Sequence, residues 1–136
     1  NRRTRSTWMP VGTIEVTGEM IADYARTIGE TASRYTGDDA VASPAICTMF
    51  TQGLTRPDIK LEFGSIGLFA GEAIDNLSLV RAGDVLEGRT KLKEVYAKTG
   101  RSGKMVFTVW ETSFARPDGE TVALVRESYV QRGPKE

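Results

Sequence analysis

Apolar and polar residues alternate along residues 11–17, with Gly12, Ile14 and Val16 on one face and Val11, Thr13 and Glu15 on the other. That period of two predicts a short strand. The period then changes. Met20, Ile21, Tyr24, Ala25 and Ile28 form one helical stripe, Thr17 stands where an N-cap belongs, and Gly29 is a natural stop, so a helix is predicted up to Gly29. Residues 30–42 are rich in Thr, Ser, Gly and Asp and read as loop with one turn. Ser43-Pro44 opens a second helix, with a hydroxyl cap, proline at the first helical position, Ile46, Met49 and Phe50 on one face, and Gly53 at its end. It is apolar on most sides, which predicts burial. Residues 55–67 carry Pro57 and two glycines and are ambiguous.

From Gly71 onward the pattern is that of strands: 74–80, a turn at 81–84, a long strand 85–97, a turn at 99–103, and a strand 104–114. Arg116-Pro117-Asp118-Gly119 then signals a hairpin turn into a last strand, 121–130. Strand, helix, helix and antiparallel meander predict an α+β fold, its antiparallel sheet wrapped around a buried central helix. Residues 1–10 read as an arm, 11–132 as a single domain and 133–136 as a tail. Open edges in such a sheet favour pairing with another chain.

Composition removes whole classes of chemistry. The chain has 136 residues, 18 basic and 18 acidic side chains, one cysteine and no histidine. One cysteine forbids an internal disulfide and any CxxC motif. Without histidine there is no Ser-His-Asp or Cys-His catalysis and no His-ligated zinc, and no metal or dissociable cofactor is expected. Zero net charge argues against a general nucleic-acid partner. No apolar run is long enough to span a bilayer, and Asn1-Arg2-Arg3-Thr4-Arg5 lacks a signal-peptide core, so no membrane partner and a cytoplasmic location are expected.

Several strings carry a family likeness. Ile21-Ala22-Asp23-Tyr24-Ala25-Arg26-Thr27-Ile28-Gly29-Glu30 is similar to a helix ending in A-x-x-x-G-D, Ala42-Ser43-Pro44-Ala45 falls where a buried helix begins, and Val80-Arg81-Ala82-Gly83-Asp84-Val85-Leu86 is similar to R-P-L-x-x-G-D-x-L. With the turns at Gly100 to Val106 and Asp118 to Ala123, the chain over residues 11–132 resembles the MaoC-like (R)-specific enoyl-CoA hydratases and dehydratases. The resemblance implies the hot-dog fold. It also implies chemistry in which an Asp, and a His five positions on, activate water for addition to a trans-2-enoyl thioester. Those two positions fall on Glu30 and Tyr35. A phenol, titrating near pH ~10, is a poor base in neutral solution, so no catalytic residue is assigned. Backbone N–H groups at the start of the buried helix serve this family as an oxyanion hole. Here Ser43, Pro44 and Ala45 occupy that place; Pro44 has no N–H, which leaves Ala45 as donor.

Tyrosine at the His position and proline at the helix start make the chain more similar to the family's non-catalytic branch. That branch comprises the N-terminal half of double hot-dog hydratases, as in fungal fatty-acid-synthase-like dehydratases, and the partner subunits of two-gene enzymes. The reading is an acyl-CoA-binding, non-catalytic subunit of an enoyl-CoA hydratase or 3-hydroxyacyl dehydratase, a lyase of lipid metabolism, for bulky fatty or steroid acyl groups. Coenzyme A would enter only as part of the substrate. The partner would be a catalytic hot-dog chain or a homodimer mate. Two alternatives stay open: a homodimeric acyl-CoA-binding module without chemistry, and a hot-dog thioesterase using Glu30.

Residues 81–104 hold seven cations, including Arg81, Arg89, Lys91, Lys93 and Arg101, against Asp84, Glu87 and Glu94. This excess is either a site for the phosphates of coenzyme A or a solvated strand face. Cys47 reads as packing on an apolar helix and Asp38-Asp39 as a loop turn. Trp8 and Trp110 read as core or interface anchors, and Arg2, Arg3 and Arg5 as part of the arm.

Overall fold

A computed structural model describes residues 8–30, 32–51, 68–101 and 103–132. Strand β1 is Met9–Glu15 and helix α1 is Gly18–Thr27; a 3₁₀ turn follows at Ser33–Tyr35, then helix α2 at Ile46–Phe50. Strands β2 (Leu68–Asn76), β3 (Val85–Gly100), β4 (Gly103–Ala115) and β5 (Thr121–Arg132) complete the order. All five strands join one antiparallel sheet in the order β1-β3-β4-β5-β2.

Helix α1 forms as its sequence predicts. The Thr17 hydroxyl accepts from the Met20 N–H at 3.1 Å, satisfying one of the amides that a helix start leaves without a partner. At the other end Gly29 adopts φ +82°, its N–H donates to Arg26 O and the Glu30 N–H to Ala25 O at 2.8 Å. This is a Schellman cap, which needs a residue that tolerates a left-handed backbone. Ile21 and Ala25 enter the core with Met20 and Tyr24 packed against it, but Ile28 is 45% exposed because the cap begins there. Thr17→Ala is expected to cost about 1 kcal/mol, read in a thermal melt as a fall of roughly 4 °C in Tm.

Two expectations need correction. The second helix does not start at Pro44. Pro44 and Ala45 lie in a turn, the Ile46 N–H donates to Ser43 O and the Thr48 N–H to Ala45 O, both at 3.0 Å, and no side chain caps the helix. These tight bonds engage the Ile46 and Thr48 amides, and Ser43 does not act as the cap. The predicted end at Gly53, and residues 55–67, lie outside the described residues. The strand predicted at 74–80 also runs earlier, over Leu68–Asn76, and pairs with β5 rather than β3. Residues 77–80 alternate like a strand but have no neighbouring strand among the described residues; Leu77 and Ser78 end the pairing by donating to Val122 O, and the chain leaves the sheet. The meander is therefore β3-β4-β5, with β2 on the far edge.

The sheet face toward the helices carries Leu86, Thr90, Thr112, Phe114 and Val125, all fully buried. Thr90 and Thr112 sit opposite each other with their hydroxyls 3.2 Å apart, a satisfied polar pair inside the core. Phe50 of α2 meets Phe114 of β4 edge to face, ring centroids 5.9 Å apart. Ile46, Cys47 and Phe50 are buried, so α2 is the buried central helix.

Candidate functional site

Glu30 and Tyr35 flank the segment between α1 and the start of α2, in unlike settings. The Glu30 N–H is used in the α1 cap and its side chain lies at the exposed end of that helix. Tyr35 is only 2% exposed and belongs to the core. Its hydroxyl accepts a hydrogen bond from the Arg34 guanidinium at 2.6 Å. Among the described residues no hydrogen bond joins Glu30 to Tyr35. The arrangement offers an exposed carboxylate and a buried phenol held by a cation, which do not form an acid–base relay.

The start of α2 faces a cavity of about 280 Å³, bounded by Ala42, Ser43 and Pro44 on one side and by residues 76–80 on the other. Two backbone hydrogen bonds hold these sides together: the Ala42 N–H donates to Val80 O at 2.7 Å, and the Ala82 N–H to Ala40 O at 2.9 Å. Ala45 sits just behind. Its carbonyl accepts from the Tyr24 hydroxyl (3.3 Å) and the Thr48 hydroxyl (2.7 Å), which ties the helix start to α1. Among the described residues none accepts from the Ala45 N–H. Ser43 and Pro44 line the cavity; Ala45 does not.

Cys47 is buried on α2, and desolvation pushes its thiol from 9.0 up to about 12. A thiol that stays protonated at neutral pH is no nucleophile.

The predicted cationic patch does not assemble in one place. Lys91 stands opposite Glu111 on the sheet face away from the helices, and Lys93 (3.3 Å), Lys91 (3.9 Å) and Arg126 (3.0 Å) all reach that one carboxylate. Arg126 also holds Asp75 at 2.6 Å, and Lys91 lies over the Trp8 ring. Arg89 approaches Glu87 (3.8 Å) and lines a second cavity of about 420 Å³ with Trp8 and Leu77. Arg81 is exposed and donates its backbone N–H to the Asp84 carboxylate. Arg101 lies in the turn between β3 and β4. Two of the cations counted along residues 81–104, Lys91 and Lys93, are engaged by Glu111, a carboxylate outside that window that strand pairing brings across. Trp110 is core, and Asp38-Asp39 lies in an exposed turn.

The residues that sequence reasoning missed are those of the cavity's outer wall and its support. The pattern predicts strand at Asn76, which the structure bears out, but also at Leu77, Ser78 and Leu79, which lie outside β2, and it places Arg116 in a turn. Arg116 donates to Ser78 Oγ, Leu79 O, Asp84 and Glu120. The Pro-Asp-Gly after it marked the turn; nothing local marked its partners. Among the described residues no group of side chains is disposed to hold a metal ion, and no helix is long and apolar enough to cross a membrane.

No protein of curated function matches this chain. Solved structures do. The HadBC complex, a 3R-hydroxyacyl-ACP dehydratase from Mycobacterium tuberculosis, aligns at TM-score 0.69 and 16% identity over 94% of this chain and 97% of that one. The ChsH1–ChsH2 complex from the same organism aligns at 0.76 and 19%, over 96% and 90%. The R-hydratase PhaJ1 from Pseudomonas aeruginosa aligns at 0.64 and 12%, over 98% and 82%. At these identities the likeness shows the fold, the MaoC-like hot dog: an α+β fold with an antiparallel sheet around a buried helix. The FAS1-like dehydratase domain region matches residues 4–125, and with most of its length covered this chain belongs to that family of hot-dog dehydratases.

Proposed function

We propose that this chain is the acyl-binding, non-catalytic subunit of an enoyl-thioester hydratase or dehydratase, paired with a second hot-dog chain that supplies the acid–base groups. The observation that carries the reading is the pairing of a formed cavity at the start of α2 with an exposed Glu30 and an Arg34-held, buried Tyr35. The acyl chain would enter between Ser43-Pro44 and the 76–80 wall, and the thioester carbonyl would reach past the lining to the Ala45 N–H, which has no acceptor among the described residues. In hydration, water oxygen bonds to C3, a proton reaches C2, and negative charge passes through the thioester oxygen. A fixed N–H donor stabilises that charge, while the proton must come and go through the partner. Coenzyme A forms part of the substrate, and Arg81, exposed beside the wall, is the cation best placed for its phosphates. Arg89 and Arg101 are further candidates; Lys91 and Lys93 are engaged by Glu111.

Partnership is supported by edges at β1 and β2 that have no outer neighbour among the described residues and by the complexes in which HadBC and ChsH1–ChsH2 occur. The test is hydration of trans-2-decenoyl-CoA, followed by loss of the enoyl thioester absorbance. The chain alone is expected to stay at background, and the chain with a histidine-bearing hot-dog partner to turn over at about 1–10³ per second. Hydration by the chain alone would overturn the non-catalytic assignment. Thioester hydrolysis by the chain alone, lost in Glu30→Gln, would restore the thioesterase reading, although Glu30 does not line the cavity.

A further inference from the structure

Val80 anchors the inner end of the wall in the core, but residues 77–79 are held by polar contacts more than by burial. Leu77 and Leu79 are 58% and 53% exposed, so apolar burial contributes little to fixing them. Leu77 and Ser78 donate to Val122 O at 2.9 and 3.2 Å, and Val80 O accepts from Ala42 at 2.7 Å. Between these anchors one side chain reaches two further groups. Arg116 reaches Leu79 O at 2.5 Å and Ser78 Oγ at 3.2 Å. The same guanidinium bonds Asp84 at 3.0 Å and Glu120 at 2.5 Å, and Asp84 in turn accepts from the Arg81 N–H. One cation therefore clamps both ends of the 77–84 connection to the β4–β5 turn. A planar fork with five donors can do this and an ammonium cannot. Arg116 and Leu77 also line the second cavity, so the Leu77 end of the wall borders both spaces.

We propose that Arg116 is a positioning residue that fixes the 77–80 wall and so sets the size of acyl group the first cavity admits. The acyl part rests on the thioester reading above; the fixing of the wall does not. The test uses the full chain, with its hot-dog partner where the two purify together, and the variants Arg116→Met, Arg116→Lys and Glu120→Gln. Amide exchange at Leu77 and Ser78 is expected to quicken about tenfold in Arg116→Met, less in Arg116→Lys, and not in Glu120→Gln, with the amides of β4 and β5 unchanged. Affinities for butanoyl-CoA and dodecanoyl-CoA are measured in parallel. A wild-type preference of about tenfold is expected to fall to about twofold in Arg116→Met. Unchanged exchange at Leu77 and Ser78 overturns the positioning role, whatever binds. Faster exchange with an unaltered chain-length preference overturns the link to acyl size. Faster exchange in a chain that binds neither thioester upholds the positioning role and overturns the thioester reading.

Discussion

Phe114→Ala is expected to lower the unfolding free energy by about 3–5 kcal/mol, the range for removing a fully buried aromatic ring. Phe114 is 0% exposed and meets Phe50 edge to face, so its loss leaves a cavity between β4 and α2 that neighbouring strands cannot close. In urea titration, with a slope of about 2 kcal/mol per M, the midpoint falls by roughly 2 M. Phe50→Ala and the double variant complete a cycle whose coupling energy is expected at about 0.5–1.5 kcal/mol, the worth of an edge-to-face pair beyond its area. A cost under about 1 kcal/mol for Phe114→Ala would mean that α2 does not seat on β4. The consequence reaches the site, because Ser43 and Pro44 are placed by the same short helix whose Phe50 anchors it.

Much of this fold follows from short-range pattern. The three meander strands were legible because each alternates and each is joined to the next by a Gly-bearing turn, so pairing and sequence order coincide. Helix α1 was legible because Thr17 and Gly29 mark its ends chemically. The position of β2 was not, since it pairs with β5, distant in sequence, and alternation carries no information about which neighbour a strand takes. Residues 77–80 show the converse. They alternate as a strand does, yet find no partner strand among the described residues and form none.

The site was legible at its inner side and illegible at its outer one. Pro44 marked the break between loop and helix, but only to within two residues: the helix begins at Ile46, and the Ser43 hydroxyl does not cap it. The cations misled for a physical reason: along the chain Lys91 and Lys93 have few acidic neighbours, yet antiparallel register sets Glu111 directly across and the pairs close through space. Arg116 was hidden in the same way. Its sequence setting is that of any turn residue, and its partners Ser78, Leu79 and Asp84 are brought to it only by the topology of the sheet.

Cys47 is expected to make the fold sensitive to alkali. The thiol is 1% exposed, and burial pushes it from 9.0 to about 12. In the unfolded chain it titrates near its ordinary value, so between pH ~9 and ~12 the unfolded state sheds a proton that the folded state keeps. The sign is then fixed. Stability from this group is fully present below pH ~9 and is lost as pH rises, by about 1.4 kcal/mol per pH unit, or roughly 2 kcal/mol by pH ~10.5. Other groups also titrate there, which makes the slope of Cys47→Ala the needed reference. Urea midpoints of wild type are expected to fall more steeply above pH ~9 than those of Cys47→Ala, and wild-type alkylation by iodoacetamide at pH ~8 to track opening of the core rather than thiol exposure. Parallel pH profiles would place the thiol in water and displace α2 from the centre of the sheet. If the profiles diverge, the lone cysteine stays protonated wherever the chain is folded. With no histidine in the sequence and the Tyr35 hydroxyl held by Arg34, the exposed Glu30 carboxylate is what this chain keeps of the family's acid–base pair, in keeping with the proposal that a partner chain carries the proton traffic.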